Sequence, residues 1–169
     1  MKRRFQSLPL AVALSLLAAT GAAAATATAT LAGPDGTTMG TVMVEDTGSG
    51  QALVTVTLEG VPTGAHAIHI HESGDCSAEG FTSAGGHWTG GHDHGVMAEA
   101  GPHAGDLPNI EVPESGMAKV AHFKPDVTVE AMLDEDGASF IVHAGADDYE
   151  SQPSGDAGGR IACGVFEAE

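Results

Sequence analysis

Apolar positions in this chain recur every second residue. From Ala52 to Leu58 the sequence reads A-L-V-T-V-T-L, which puts Val54, Val56 and Leu58 on one face and Thr55 and Thr57 on the other. Such alternation marks a half-buried strand. Thr38 to Glu45 and Gln51 to Glu59 are predicted as strands, joined by the turn Asp46-Thr47-Gly48-Ser49-Gly50 into a hairpin. His66 to His71, Met117 to Phe123, Val127 to Leu133, Ala138 to His143 and Arg160 to Phe166 follow as further strands. Ala22 to Ala32 is an Ala/Thr stretch of low complexity, expected to start as a flexible tail and run into a first strand. No segment sustains a 3.6-residue apolar period. About eight short strands predict an all-β antiparallel sandwich or barrel.

Two segments break this rhythm. Residues 72 to 116 are rich in Gly, His and Asp, and residues 145 to 159 are glycine-rich and acidic. Loops of this length are functional or disordered, and the histidines in the first favour function.

The first residues follow another pattern. Lys2, Arg3 and Arg4 precede the apolar run Leu8 to Ala19, and Ala-x-Ala patterns follow around Ala22 to Ala25. A basic start, a short apolar run and small residues describe a secretory signal peptide, here residues 1–25, leaving a domain at 26–169. An apolar run of about 12 residues is short of the roughly 20 that span a bilayer. The expected location is the periplasm or the exterior. Cleavage would leave only Lys119, Lys124 and Arg160 against 23 acids, a net charge of −20 before histidine is counted. That balance argues against nucleic acid or an anionic membrane as partner, because both need clustered cations. Cys76 and Cys163 are an even pair in an exported chain; they would form either a disulfide or two buried thiols.

All nine histidines lie beyond residue 65. In His66-Ala67-Ile68-His69-Ile70-His71, a strand would send Ile68 and Ile70 into the core and His69 and His71 side by side to the other face. Two imidazoles so placed chelate copper or zinc; taken alone, they could equally be exposed polar positions. In Phe140-Ile141-Val142-His143 the same alternation sends His143 to the face of the long loops. The loop adds His87, His92, His94 and His103, with Asp106 three residues on. Imidazoles with a carboxylate suit zinc, and the whole set predicts a metal site.

These blocks carry a resemblance. H-A-I-H-I-H-E-S-G-D-C (His66 to Cys76), F-T-S-A-G-G-H (Phe81 to His87), H-A-G-D-L-P-N (His103 to Asn109), H-A-G-A-D-D-Y (His143 to Tyr149) and G-G-R-I-A-C-G-V (Gly158 to Val165) resemble, in order, the motifs of copper–zinc superoxide dismutases of the bacterial exported type. They span most of residues 30 to 166. The resemblance implies an eight-stranded antiparallel Greek-key β-sandwich or barrel with long metal-binding and electrostatic loops. It implies dismutation of superoxide to oxygen and hydrogen peroxide by a copper ion beside a structural zinc ion. By the same resemblance, His69, His71, His87 and His143 hold copper, and His87, His94, His103 and Asp106 hold zinc. His87 bridges the metals and carries a proton. Arg160 faces the substrate, Asp147 hydrogen-bonds a copper histidine and a zinc histidine together, and Cys76 pairs with Cys163. His66 fits the family's structural histidine.

The chain departs from the family pattern once. His94 follows His87 by seven positions and without a proline, where the family places eight or nine with one. His94 remains preferred over His92 because His103 follows it by nine, as the family pattern expects; His92 is the substitute or extra ligand. His122 is expected to be simply exposed, and Trp88 to pack within its loop rather than anchor an interface. The competing function is a non-enzymatic copper or zinc store, or a copper-delivery domain, of the same fold. The filled copper positions and Arg160 favour the enzyme. A homodimer and a monomer both occur in the family, and the sequence does not choose between them.

Overall fold

The computed structural model describes residues 24–169. The proposed signal peptide therefore lies outside the described residues except for Ala24 and Ala25. Ten strands follow: β1 (Thr26–Ala32), β2 (Thr38–Asp46), β3 (Ala52–Leu58), β4 (Gly64–His66), β5 (Ile68–His71), β6 (Ile110–Val112), β7 (Ala118–Lys124), β8 (Ser139–His143), β9 (Arg160–Val165) and β10 (Glu167–Ala168). One antiparallel sheet runs β5-β8-β9-β1-β2-β3-β7, with β10 also pairing with β1; β4 and β6 form a second, two-stranded sheet. The pairings of β3 with β7 and of β5 with β8 skip strands in sequence, as in a Greek key. Among the described residues no helix is long and apolar enough to cross a membrane.

The alternation expected from the sequence builds the core. Val42 and Val44 of β2 and Val54, Val56 and Leu58 of β3 are buried with Ile68, Ile70, Phe140 and Val142. Each strand sends its second set of residues to the opposite face. In β8 that set includes Ile141, which packs with Phe81, Ala84 and Cys163 in a smaller cluster beneath the loops. The all-β antiparallel architecture agrees with the sequence.

Several boundaries differ. The Ala/Thr stretch expected to begin as a flexible tail is already strand at Thr26, because Ala27, Ala29 and Leu31 alternate into the core and pair with β2. The run His66 to His71 is broken at Ala67, whose N–H donates to Gly145 O and whose carbonyl accepts from His143 N–H. That break puts His66 in the small sheet and His69 and His71 in the large one. Val127 to Leu133 is not a strand. Thr128 Oγ1 accepts from Ala131 N–H and caps the short helix α1 (Val129–Met132), which buries Val129 and Met132 three apart. β6 lies inside the segment read as loop.

Candidate metal centre

The site forms where β5 and β8 lie side by side under the loop of residues 72–109. Ile68 pairs with Val142 and His69 with Ile141, so His69 and His71 emerge next to His143 at the end of β8. His71 also bridges to His87, and His69 to Asp106, which draws the loop down onto the strand. Gly105 fits this junction because a Cβ there would meet Ile70 O at 2.3 Å. Two further bonds fix the approach: Ile70 N–H donates to Gly105 O, and Trp88 N–H to Ile70 O. Trp88 is half-buried and packs against the main core, which includes Ala104 and Leu107 of the same loop.

Four imidazoles converge. His69, His71, His87 and His143 are buried, and their donor atoms lie within 4.8 Å of one another. His69 Nδ1, His71 Nε2, His87 Nε2 and His143 Nε2 are buried without a hydrogen-bond partner. A buried polar atom left unpaired costs about 1–3 kcal/mol. Four together make a costly arrangement unless a positive ion accepts their lone pairs. The remaining ring nitrogens fix the orientations: His69 Nε2–H donates to Asp147 (2.8 Å), and His71 Nδ1–H to Gly85 O (3.1 Å).

A second donor set shares His87. Its Nδ1 lies 3.0 Å from Asp106 Oδ1 and 3.4 Å from His103 Nδ1; His94 Nδ1 lies 3.1 Å and His103 Nδ1 3.4 Å from Asp106 Oδ1. A zinc tetrahedron with bonds of about 2.0–2.1 Å has edges of about 3.3 Å. Four of the six donor pairs of such a tetrahedron lie 3.0–3.4 Å apart, so the residues fit such an ion. Asp106 Oδ2 is held apart from them, accepting from the N–H groups of Gly95 (2.9 Å) and His103 (3.0 Å). His69 also falls within reach of His87, His94 and Asp106. Its Nε2 is committed to Asp147, so its free Nδ1 belongs to the first set.

Asp147 joins the two sets. Its Oδ2 accepts from His69 Nε2–H, and its Oδ1 from His94 Nε2–H (3.0 Å) and Tyr149 N–H (2.6 Å). Burial raises the Asp147 pKa, but the bonds from His69, Tyr149 and His94 outweigh it and bring it down to about 2. Burial lowers His69 to about 4, His71 to about 2 and His143 to about 3. These histidines are therefore neutral at pH 7 and ready to ligate. For Asp106, burial opposes ionisation, yet the bonds from His87 and Gly95 hold its pKa well below the usual carboxylate range.

Arg160 and the disulfide frame the mouth. The guanidinium donates to Phe81 O and Gly85 O, each at 2.6 Å, and its charge further lowers His71 and His143. Cys76 and Cys163 are bonded, with Cα atoms 5.9 Å apart, and tie the loop to β9 three residues from Arg160.

The structure thus brings together every residue that the resemblance assigned. His94 is completely buried in the second set, whereas His92 is exposed and outside it. His66 Nδ1 and Nε2 contact His143 O and Pro62 O, a structural position. His122 differs from expectation. It is half-buried on β7, beside a Lys124 whose Nζ reaches Asp106 O. Lys124, Asn109, Tyr149 and Gln152 escaped the sequence reading. Asn109 Nδ2–H donates to Asp147 O, Asn109 Oδ1 accepts from Asp147 N–H, and Asn109 N–H donates to Tyr149 OH. Lys124 carried a usable signal as one of three cations beyond residue 25; polar amides in loops carry none.

Comparison with known proteins gives a consistent result. The family model for copper/zinc superoxide dismutase matches residues 38–166. A superoxide dismutase [Cu-Zn] 2 of Aquifex aeolicus is 39% identical over 164 residues, 93% of this chain and 95% of that protein. A superoxide dismutase [Cu-Zn] of Caulobacter vibrioides is 40% identical over 141 residues, covering 79% and 80%. The crystal structure of a SOD-like protein from Bacillus subtilis superposes with a TM-score of 0.77 at 34% identity, covering 82% of this chain and 96% of that one.

Proposed function

The chain belongs to the copper/zinc superoxide dismutase family, and on that premise we propose that it dismutes superoxide to oxygen and hydrogen peroxide. In this reading His69, His71, His87 and His143 hold copper, and His87, His94, His103 and Asp106 hold zinc. The observation that carries it is the set of four buried, unpartnered imidazole nitrogens facing one point. When bound, copper supplies the one-electron oxidation and reduction that zinc lacks.

The chain's own residues supply the rest. Arg160 spends two N–H groups on carbonyls and keeps three of its five donors and its full charge for an incoming anion. That local attraction matters because the chain's net charge repels superoxide at long range. His87 Nε2, buried on the copper side, is the atom that would hold a proton for the peroxide product. Asp147 keeps His69 in the tautomer that leaves Nδ1 free. The disulfide holds the loop that receives Arg160. The basic, apolar and small-residue start supports export to the periplasm or the exterior.

The Bacillus relative is described as SOD-like, which keeps a metal-storing or metal-delivering protein of this fold as the competing reading. Turnover separates the two. Nanomolar copper- and zinc-loaded protein should remove a micromolar excess of superoxide repeatedly and release one hydrogen peroxide per two superoxide, whereas the His69→Ala variant should lose that activity. Consumption that stops after one equivalent, or full activity in the variant, would exclude this function.

A further inference from the structure

The spacer between His87 and His94 is short and built for freedom. Gly90, Gly91 and Gly95 have φ of 61°, 86° and 88°, the left-handed region that glycine adopts readily. Its own loop holds the neighbours of His94, with Asp93 N–H donating to Ala100 O and Gly95 N–H to Asp106 Oδ2, but the main-chain groups of His94 itself bond across to the other long loop. His94 N–H donates to Gln152 Oε1 (3.0 Å), and Gln152 Nε2–H donates to His94 O (2.7 Å) and to Glu150 O (3.1 Å). A main-chain donor and a main-chain acceptor on one residue fix which end of the amide is which. Among the described residues these two main-chain groups of His94 bond to Gln152 alone. The same seam continues at the next residues. Met97 N–H donates to Tyr149 O, and a Cβ on Gly95 would meet Tyr149 O at 2.1 Å.

We propose that Gln152 is a positioning residue for the zinc half of the site, holding the His94 main chain so that Nδ1 stays on the metal position despite the short spacer. This rests on the reading of His87, His94, His103 and Asp106 as the zinc ligands. Gln152 lies at the surface and hydrogen-bonds to the main chain of His94 and Glu150 rather than to any ligating atom. Its effect is to remove loop freedom before the metal arrives, which lowers the ordering cost of binding. Partners of this kind change metal affinity by about 10- to 100-fold; a surface position gives the lower end.

The test compares zinc dissociation constants, measured by competition with a chromophoric chelator, for wild type, Gln152→Met, Gln152→Glu and His94→Ala. The Met variant keeps length and removes both bonds; the Glu variant keeps the acceptor but sets a carboxylate against His94 O. Both should bind zinc about tenfold more weakly, with a weakened tetrahedral cobalt(II) spectrum. The affinity of the copper position should not change. Wild-type zinc affinity in both variants, with His94→Ala still defective, overturns the role of Gln152 alone. Equal losses at both metals with a lower metal-free melting temperature also overturn it, because they mark a general structural role. Wild-type affinity in His94→Ala overturns the ligand assignment beneath it.

Discussion

Replacing Asp147 by asparagine keeps shape and volume but converts one oxygen into an NH2 donor. Oδ1 accepts two bonds, from His94 Nε2–H and Tyr149 N–H, whereas Oδ2 accepts one, from His69 Nε2–H. The amide will therefore keep its oxygen at the Oδ1 position and turn its NH2 toward His69. There two donors face each other unless His69 moves its proton to Nδ1. That proton then occupies the lone pair that faces His71, His87 and His143. Copper affinity should fall more than zinc affinity, by about 10- to 100-fold, or about 1.4–2.7 kcal/mol. Losing the charge-assisted bond should also cost the metal-free protein about 1.5–3 kcal/mol. Competitive titration of each metal, with urea unfolding of the metal-free chain, measures both effects. Copper affinity within twofold of wild type would rule out this tautomer switch, as would a loss confined to zinc.

Three other outcomes follow from the same structure. Removing the Cys76–Cys163 bridge, with a sequence separation of 87, should destabilise the protein by about 4–5 kcal/mol in denaturant titrations; a loss under about 1 kcal/mol would mean the loop is held by packing alone. His69, His71 and His143 have pKa values depressed from 6.5 to about 4, 2 and 3. In the metal-free protein the unfolded chain thus takes up protons below about pH 6.5 that the folded chain refuses, so stability should fall with acid. The bound is about 2 kcal/mol per histidine between pH 7 and 5, and a flat urea midpoint over that range would contradict it. The loop of residues 145–159 contains Asp147, Asp148, Glu150 and Asp156 and no lysine, so catalytic efficiency should fall with added salt less steeply than in a lysine-bearing relative. An equally steep fall would show that long-range steering survives.

The fold was legible where apolar residues alternate or run together. β2 and β3 match their predicted spans because burial alternates along them, and β8 and β9 match as short, largely apolar runs. Val127 to Leu133 misled because Val and Thr favour strands, while the decisive feature was a Thr128 side chain capping the helix. Ala67 likewise gives no local sign of the cross-chain bonds that split His66 from His69. The metal donors were readable because imidazole and carboxylate are chemically distinctive. Gln152 and Asn109 were not, since an amide in a loop looks the same whether it faces water or holds His94 across 58 residues or Asp147 across 38. Lys124 stood between these cases. A buried cation in so acidic a chain needs a partner, but only the structure identifies that partner as the carbonyl of Asp106.

One copper bound by His69, His71, His87 and His143 would turn over superoxide beside zinc. The most direct test titrates copper into zinc-loaded protein and follows the rate of superoxide decay. The rate should rise linearly and break at one copper per chain, with no rise in His69→Ala. A rate that stays at the level of the buffer, or that climbs equally in the variant, would contradict it.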